Sequence, residues 1–274
     1  MNTFDNKLVL ITGGSSGIGL SLACKLASLD ANIWILARRV EQLQHAKNLI
    51  EALRVSELQT IGTIAADVSD RGQVTTALKK FVFEVGVPDL LVNSAGVVHP
   101  GLFQDLPLDV FEWMINVNYL GTVYVTRSLV PGMIHRRSGY IVNVSSVAGY
   151  LGVYGYAAYS PSKYAVRGFS DVLRSELKPH GIQVSVVFPP DTATPQLQYE
   201  LAHRPEVTNE LNSTVAVISP DRVADAIIKG VQRNRYTIFP NFDSAFTYHL
   251  NNLLGNLTYP LMDYLVAKAL RKHQ

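Results

Sequence analysis

Short apolar runs alternate with segments of helical spacing along most of this chain, and no other feature of the sequence constrains its fold as much. The runs predict seven β-strands, at residues 7–12, 32–37, 60–65, 89–93, 140–144, 183–188 and 236–239. Helices are predicted over 18–29, 40–53, a segment capped by Ser69, 108–135, 159–180 and a segment that starts at 220. Strands that alternate with helices favour a parallel sheet covered on both faces. The sequence therefore predicts an α/β fold, a Rossmann-type doubly wound parallel sheet of about seven strands.

The length of 274 residues suits one large domain, which we place at residues 1–241. Pro189-Pro190 interrupts the pattern after the sixth strand, so residues 189–217 are predicted to be an irregular, mobile lid with an apolar inner face. Residues 242–274 are predicted to form an apolar C-terminal helical extension. It is too apolar for a solvated tail, and its polar interruptions leave no run of the ~18 apolar residues that span a membrane. We expect it to pack on the domain or on a second subunit, or to contact a membrane surface peripherally through 242–270.

Composition excludes several classes of function. The net charge of +2 is too small to argue for a nucleic-acid partner. The single cysteine, Cys24, excludes an intrachain disulfide and a cysteine-cluster metal site, and no metal is expected. The N-terminus runs directly into the first strand, so we expect no signal peptide and a cytoplasmic protein. Peripheral contact with the cytoplasmic face of a membrane is the alternative location.

The turn after the first strand reads Thr12-Gly13-Gly14-Ser15-Ser16-Gly17-Ile18-Gly19. Its glycines allow a tight turn and let the backbone approach a pyrophosphate at a helix N-terminus. The spacing Gly-x-x-x-Gly-x-Gly differs from the commoner Gly-x-Gly-x-x-Gly fingerprint, and a flexible turn is the alternative interpretation. The position between a strand and a helix favours a nucleotide. The predicted cofactor contacts in this turn are Gly13, Ser15, Ser16, Gly17, Ile18 and Gly19.

The second strand ends in Ala37-Arg38-Arg39, and no carboxylate follows before Glu41. An acidic residue here would accept from the ribose 2′-hydroxyl of NAD, whereas arginine accommodates the 2′-phosphate of NADP. Arg38 and Arg39 therefore predict NADP(H) as the cofactor, and solvated surface charges are the alternative. Further cofactor contacts are expected after the third and fourth strands, from Asp67 (to the adenine amino group), Val68, Asn93, Ala95 and Gly96.

A candidate catalytic group follows the fifth strand. Ser146 stands at the strand end, and Tyr159 and Lys163 lie four residues apart at the start of a helix, so both point from one helix face. A neighbouring ammonium lowers the pKa of a phenol from its ordinary value of ~10 and makes it a usable acid or base near neutrality. Ser146 could hydrogen-bond the oxygen that exchanges the proton. Surface positions on an ordinary amphipathic helix are the alternative.

Five motifs occur in order: Thr-Gly-x-x-x-Gly-Ile-Gly at 12–19, Asn-x-Ala-Gly at 93–96, Asn118, Ser146, and Tyr159-x-x-x-Lys163. Together they resemble the classical short-chain dehydrogenase/reductase family over roughly residues 7–240. Ser146 precedes Tyr159 by 13 positions (159 − 146), as the family pattern expects. The combination is far more specific than any one motif.

The resemblance implies a role for each catalytic candidate. Tyr159 would donate the proton to a carbonyl that Ser146 polarises. Lys163 would bind the nicotinamide ribose and lower the pKa of Tyr159, and Asn118 would hold a water in the proton relay. Asn116 is the rival for that last role, but Asn118 stands three positions before Gly121, as the motif requires. Pro189 and Thr192 are expected to contact the cofactor, and family members often form dimers or tetramers through helices near 105–135 and 159–178.

One departure narrows the expected substrate. The family usually has Pro-Gly after the sixth strand, and this chain has Pro189-Pro190-Asp191-Thr192, followed by Thr194-Pro195. That segment is similar to the branch of the family that reduces the sphingoid ketone 3-ketodihydrosphingosine with NADPH, although eukaryotic members of the branch carry membrane-spanning segments. Tyr154 and Tyr156 are expected to form an aromatic rim around a lipid-like ketone. The alternatives are 3-oxoacyl-thioester or hydroxysteroid-type reduction and, outside enzymes, an NADP(H)-sensing binding module.

Overall fold

The computed structural model describes residues 4–212 and 216–272. Seven strands form one parallel sheet in the order β3-β2-β1-β4-β5-β6-β7. The strands are β1 Leu8–Thr12, β2 Asn32–Ala37, β3 Ile61–Ala65, β4 Leu90–Asn93, β5 Gly139–Val144, β6 Ile182–Val187 and β7 Thr237–Ile238. The order reverses between β1 and β4, whose carboxyl ends therefore flank a crevice where such sheets bind ligands. The predicted doubly wound sheet is confirmed.

Helices cover both faces of the sheet. The helices are α1 Gly17–Ala27, α2 Val40–Glu51, α3 Arg71–Glu84, α4 Leu108–Met114, α5 Gly121–Arg136, α6 Tyr159–Leu177, α7 Pro195–His203, α8 Glu206–Asn212, α9 Pro220–Gln232, α10 Phe242–Leu254 and α11 Thr258–Leu270. Neighbouring residues of a strand face opposite sides, so Ile11 packs in one core with α1 and α9, and Leu10 packs in the other with α3 and α5. Both residues are fully buried.

Two predicted helices differ in detail from the structure. The third helix is capped by Asp70, whose side chain accepts from the Gln73 backbone N–H, whereas Ser69 bonds back to Asp67. The prediction of Ser69 as the cap was therefore wrong, because the Ser69 N–H and hydroxyl both donate to the Asp67 carboxylate. The segment 108–135 is not one regular helix: a π-helical turn at Ile115–Leu120 separates α4 from α5, and π-turns of this kind are frequent at functional sites.

The lid is helical, so the predicted irregular structure was wrong. Thr194 caps α7 through the Leu197 N–H, and Pro195 occupies the first helical turn, where its missing N–H costs nothing. A short helix, α8, follows before residues 213–215, which lie outside the described residues. The inner face of α7 is not purely apolar either, because Glu200 is buried there with Leu197 while Tyr199 and Leu201 are exposed.

The C-terminal extension forms two helices that lie partly against the domain. The Tyr150 hydroxyl donates to the Ser244 carbonyl at 2.9 Å, and the Asn251 side chain donates to the Tyr150 carbonyl at 3.0 Å. α11 packs against α8 of the lid. Their outward faces remain apolar, with Phe242, Phe246, Leu253, Leu257, Tyr259, Leu261 and Tyr264 exposed. Within residues 4–212 and 216–272, none of the helices combines the length and the hydrophobicity of a membrane-spanning segment.

Candidate active site

The glycine-rich turn brings the backbone of β1 against the loop after β4. Gly13 and Gly17 have positive φ of 68° and 53°, which L side chains rarely adopt. A Cβ added at Gly13 would meet Ala95 Cα at 2.8 Å, so only glycine allows the two loops to approach this closely. The Thr12 hydroxyl accepts from the backbone N–H groups of Ser94 and Ala95, both at 3.1 Å. The turn then leads into the N-terminus of α1, whose free N–H groups suit a pyrophosphate.

A cavity of about 140 Å³ extends from this turn toward the end of β2. Its walls contain the predicted contacts Gly13, Ser15, Ser16, Arg38, Arg39, Asp67, Val68, Ala95 and Gly96. Arg38 lies 3.6 Å from the Asp67 carboxylate, which also accepts from Ser69. Both arginines are exposed beside the cavity, where their guanidiniums suit a phosphate. The adenine contact of Asp67 stays a prediction.

The second cavity, of about 240 Å³, holds the predicted catalytic side chains. Ser146, Tyr159 and Lys163 line it, with the predicted contacts Gly13, Ser16, Gly17, Ile18, Gly19, Gly96, Pro189 and Thr192. The Ser146 hydroxyl faces the Tyr159 side chain and lowers the pKa of its phenol. The Lys163 ammonium donates to the Val144 carbonyl at 3.1 Å and lies 5.7 Å from the centre of the Tyr159 ring. The structure therefore brings the three side chains together, as the motif spacing predicts.

The pKa of Tyr159 departs from the expectation. Burial raises it above the ordinary value for a phenol, the negative charge of Glu200 raises it further, and the facing Ser146 hydroxyl lowers it. Burial also lowers the pKa of Lys163 to about 8. The expected lowering of the Tyr159 pKa was wrong for this state of the protein. The reason is that a low-dielectric site penalises the phenolate and the ammonium alike.

Asn118 lies in the π-helical turn and lines neither cavity. Its side chain accepts from the Val97 N–H at 2.8 Å and donates to the Val97 carbonyl and the Ser162 hydroxyl, both at 2.9 Å. A Cβ added at Gly96 would meet Lys163 Nζ at 3.2 Å and Asn118 Oδ1 at 3.3 Å, so the two side chains converge there. Asn118 thus stands beside Lys163, and its role in holding a water stays a prediction.

Asn93 differs from the other predicted cofactor contacts because it lines neither cavity. Its side-chain amide is buried and donates to the Thr126 hydroxyl at 3.0 Å and the Asn143 side chain at 2.8 Å. These bonds join β4 to α5 and β5, so its side chain positions the end of β4, and the following Ala95 and Gly96 reach the cavity.

A buried polar cluster in the lid was not foreseen. Tyr156 lines the catalytic cavity, but it is 4% exposed and its hydroxyl donates to Glu200, while Arg204 contacts Tyr156, Glu200 and Asp191. Glu200 and Asp191 line the catalytic cavity. The spacing of Glu200 and Arg204 by four residues was a visible signal, but it acquires meaning only once that segment is known to be helical.

The fold, the glycine-rich turn and the Ser–Tyr–Lys group define one class of enzyme. The family model described as short chain dehydrogenase matches residues 7–205. The chain belongs to this family of oxidoreductases, which confirms the resemblance drawn from its motifs. The cofactor of the family is NAD or NADP.

Two named relatives make the similarity more particular. A 3-ketodihydrosphingosine reductase from Bos taurus is 42% identical over 228 residues, which cover 82% of this chain and 69% of that protein. A protein of the same name from Dictyostelium discoideum is 34% identical and covers 97% of this chain and 84% of its own length. Among solved structures, a short chain dehydrogenase/reductase from Burkholderia phymatum in complex with NAD matches with a TM-score of 0.82 and 24% identity, covering 94% of this chain and 97% of that one. This last likeness concerns the fold.

Proposed function

We propose that this chain reduces the ketone of 3-ketodihydrosphingosine to the secondary alcohol of dihydrosphingosine, with NADPH as the reductant. One observation carries the proposal: Ser146, Tyr159 and Lys163 meet in one cavity beside a glycine-rich turn, in a chain 42% identical to a reductase of that name. The intact proton-transfer group argues against a silent NADP(H)-sensing module.

The residues present fit NADPH. The glycine turn and the N-terminus of α1 would hold the pyrophosphate, and a Cβ at Gly17 would meet Thr194 at 3.1 Å, which shows how closely the lid approaches this cradle. Arg38 and Arg39 would bind the 2′-phosphate, for which guanidiniums provide bidentate donors. When bound, the nicotinamide supplies the hydride that becomes the new C–H bond of the alcohol.

Tyr159 supplies the proton in this proposal. Its raised pKa keeps the phenol protonated near neutrality, which a proton donor requires. Ser146, which lines the same cavity as Tyr159, would donate to the same carbonyl oxygen and hold it in place. The ammonium of Lys163, 5.7 Å from the ring centre, stabilises the phenolate that remains after the transfer.

The two C-terminal helices would present the enzyme to its lipid substrate. Both helices expose apolar side chains, and α11 contacts the lid helix α8. Lys268 and Arg271 provide positive charge at the end of α11 for anionic headgroups, whereas Lys272 pairs with Glu210 of α8. His273 lies outside the described residues. Together the lid and the extension would form an apolar entry at a membrane surface. The NADPH requirement and the free thiol of Cys24 favour the reducing, cytoplasmic side.

The membrane contact can be tested in the full chain by flotation with vesicles of phosphatidylcholine and phosphatidylserine. Replacing the exposed Leu253 and Leu257 with serine should reduce the bound fraction, because each buried leucine contributes about 1.5–3 kcal/mol. Leu58→Ser is the matched control, since Leu58 is 88% exposed and precedes β3 at the opposite sheet edge. Equal binding by the wild type and the double variant would contradict the membrane role.

We also propose a homo-oligomer, a dimer or a tetramer, built through α4, α5 and α6. These helices expose Leu108, Trp113, Tyr164 and Val172, which supports an apolar contact there. Light scattering on the purified chain tests this: a monomer at all concentrations would contradict it.

The enzymatic proposal is tested by NADPH oxidation, followed optically, with a panel of ketones in detergent. 3-Ketodihydrosphingosine should be consumed with a higher kcat/KM than a 3-oxoacyl thioester or a steroid ketone. A higher kcat/KM for the thioester than for 3-ketodihydrosphingosine would assign the enzyme to 3-oxoacyl thioesters. No oxidation with any ketone by folded protein that binds NADPH would contradict the reductase itself.

A further inference from the structure

The lid carries a polar cluster that the catalytic steps above do not use. It consists of Asp191, Glu200 and Arg204 of the lid and of Tyr156, which precedes α6, and is called the lid cluster here. The Tyr156 hydroxyl donates to Glu200, Arg204 Nε donates to that hydroxyl at 2.6 Å, and Arg204 pairs with Asp191 at 2.8 Å. Glu200 and Arg204 are both 8% exposed. Charged groups are almost never buried to this degree unless they are paired.

Glu200 faces the catalytic cavity. It lines the cavity together with Ser146 and Tyr159. Tyr156, whose hydroxyl donates to Glu200, has its ring centre 5.7 Å from that of Tyr159. The hydrogen bonds from Tyr156 and Arg204 all end on Glu200 Oε1. No hydrogen bond from another described residue ends on Oε2, so that oxygen keeps its capacity to accept.

The lid cluster holds an excess of negative charge beside the reacting centre. Two carboxylates, Asp191 and Glu200, face one guanidinium, that of Arg204. The effect reaches Tyr159: after burial, the charge of Glu200 raises its pKa most, Asp191 raises it further, and Arg204 opposes them with the weakest influence. An uncompensated charge is expensive in a buried site, so a cationic group entering the cavity would be stabilised there.

We propose that Glu200 binds the protonated amine of the substrate through Oε2 and thereby selects 2-amino ketones. This inference rests on the proposed function. A sphingoid ketone carries a primary amine on the carbon next to the carbonyl, so a group that binds the ammonium must stand beside the proton donor, as Glu200 does. An ammonium offers three donors and suits a carboxylate with one free oxygen. A 3-oxoacyl thioester has no cation at that position and would leave the charge unpaired, which works against its binding.

A purely structural role is the competing explanation, because Glu200 also binds Arg204 and could simply hold α7 in place. The two roles predict different responses to the substrate. A structural role affects all ketones alike, whereas an ammonium site affects only ketones that carry the amine.

The experiment compares 3-ketodihydrosphingosine with 1-hydroxyoctadecan-3-one, which lacks the amine but keeps the chain and the ketone. The wild type should prefer the amine-bearing ketone at least about tenfold in kcat/KM. Glu200→Gln should lower kcat/KM for the amine-bearing ketone by at least about tenfold, which corresponds to about 1.4 kcal/mol, and leave the amine-free ketone unchanged or improved. Glu206→Gln, which removes an exposed carboxylate of the same lid, is the matched control and should keep the wild-type ratio.

Each outcome decides a separate point. Equal losses for both ketones in Glu200→Gln would show that Glu200 only supports the lid, and would overturn the inference while leaving the reductase intact. The ratio of kcat/KM for the two ketones can be measured in the wild type alone. Equal kcat/KM for both ketones would therefore overturn the inference even if Glu200→Gln fails to fold. If the wild type reduces neither ketone while it binds NADPH, the proposed function fails, and the ammonium site fails with it.

Discussion

Removing one oxygen atom from Tyr159 tests the proposed chemistry. Tyr159→Phe keeps the ring, which is 9% exposed and packs against Tyr156, and deletes only the hydroxyl. General acid catalysis contributes about 10²–10⁴ in rate, so kcat should fall by that factor, which is about 2.7–5.5 kcal/mol of barrier.

The same substitution should have little effect on stability. Ser146 still accepts from the Ala148 N–H at 3.2 Å in this variant, so loss of the Tyr159 hydroxyl leaves no buried group orphaned. The melting temperature should therefore change by only a few degrees. Affinity for NADPH should stay within about twofold, since the hydroxyl acts on the substrate carbonyl.

The assay is single-turnover oxidation of NADPH by the purified variant with saturating ketone, beside fluorescence titration of NADPH binding. Tyr164→Phe is the matched control, because Tyr164 is the same residue type on the same helix, is 40% exposed and lies outside the cavity. A Tyr159→Phe enzyme with near-normal kcat would refute Tyr159 as the proton donor. A loss equal to that of Tyr164→Phe would refute it as well.

Three further predictions concern the cofactor, the buried lysine and a helix cap. Arg38→Ala should weaken NADPH by about 1.5–3 kcal/mol and leave NADH almost unchanged, as measured by titration, because only NADPH has the 2′-phosphate; equal losses would show that Arg38 does not contact that phosphate. Lys163 has a folded pKa of about 8 against an ordinary ~10.4, so the unfolded chain binds more protons between these values. The free energy of unfolding, measured with denaturant for the wild type minus Lys163→Met, should thus rise with pH above pH 8, by at most about 1.4 kcal/mol per pH unit. A difference that does not change with pH would contradict this. Asp70→Ala should cost about 1 kcal/mol of unfolding free energy, and Ser69→Ala less; the reverse order would restore Ser69 as the cap.

Features that depend on neighbouring residues could be predicted from the sequence. The strand and helix alternation predicts the parallel sheet. Because the carboxyl ends of parallel strands meet at one edge, such a sheet brings together the motifs after β1, β4 and β5. The structure brings Ser146 and Lys163 to the same cavity from different elements. Helix periodicity at Tyr159 and Lys163 was sufficient to place both on one face.

Features that depend on tertiary burial could not be predicted. The lid was expected to be irregular because Pro189, Pro190 and Pro195 suggest broken structure, yet a proline in the first turn starts a helix as readily as it ends one. The pKa of Tyr159 depends on how completely its surroundings exclude water, which no spacing reveals. Tyr156 was expected at an aromatic rim, and only the folded lid shows that its hydroxyl also bonds Glu200.

The proposed reaction can be tested most directly by following the hydride. Purified chain is incubated with 3-ketodihydrosphingosine and NADPH that carries deuterium at both positions of the reactive nicotinamide carbon, and the lipid product is analysed by mass spectrometry. The proposed function predicts dihydrosphingosine with a single deuterium on the carbon that bore the ketone, and its absence when Tyr159 is replaced by phenylalanine over the same time. Unlabelled product, or no product from folded protein that binds NADPH, would contradict it.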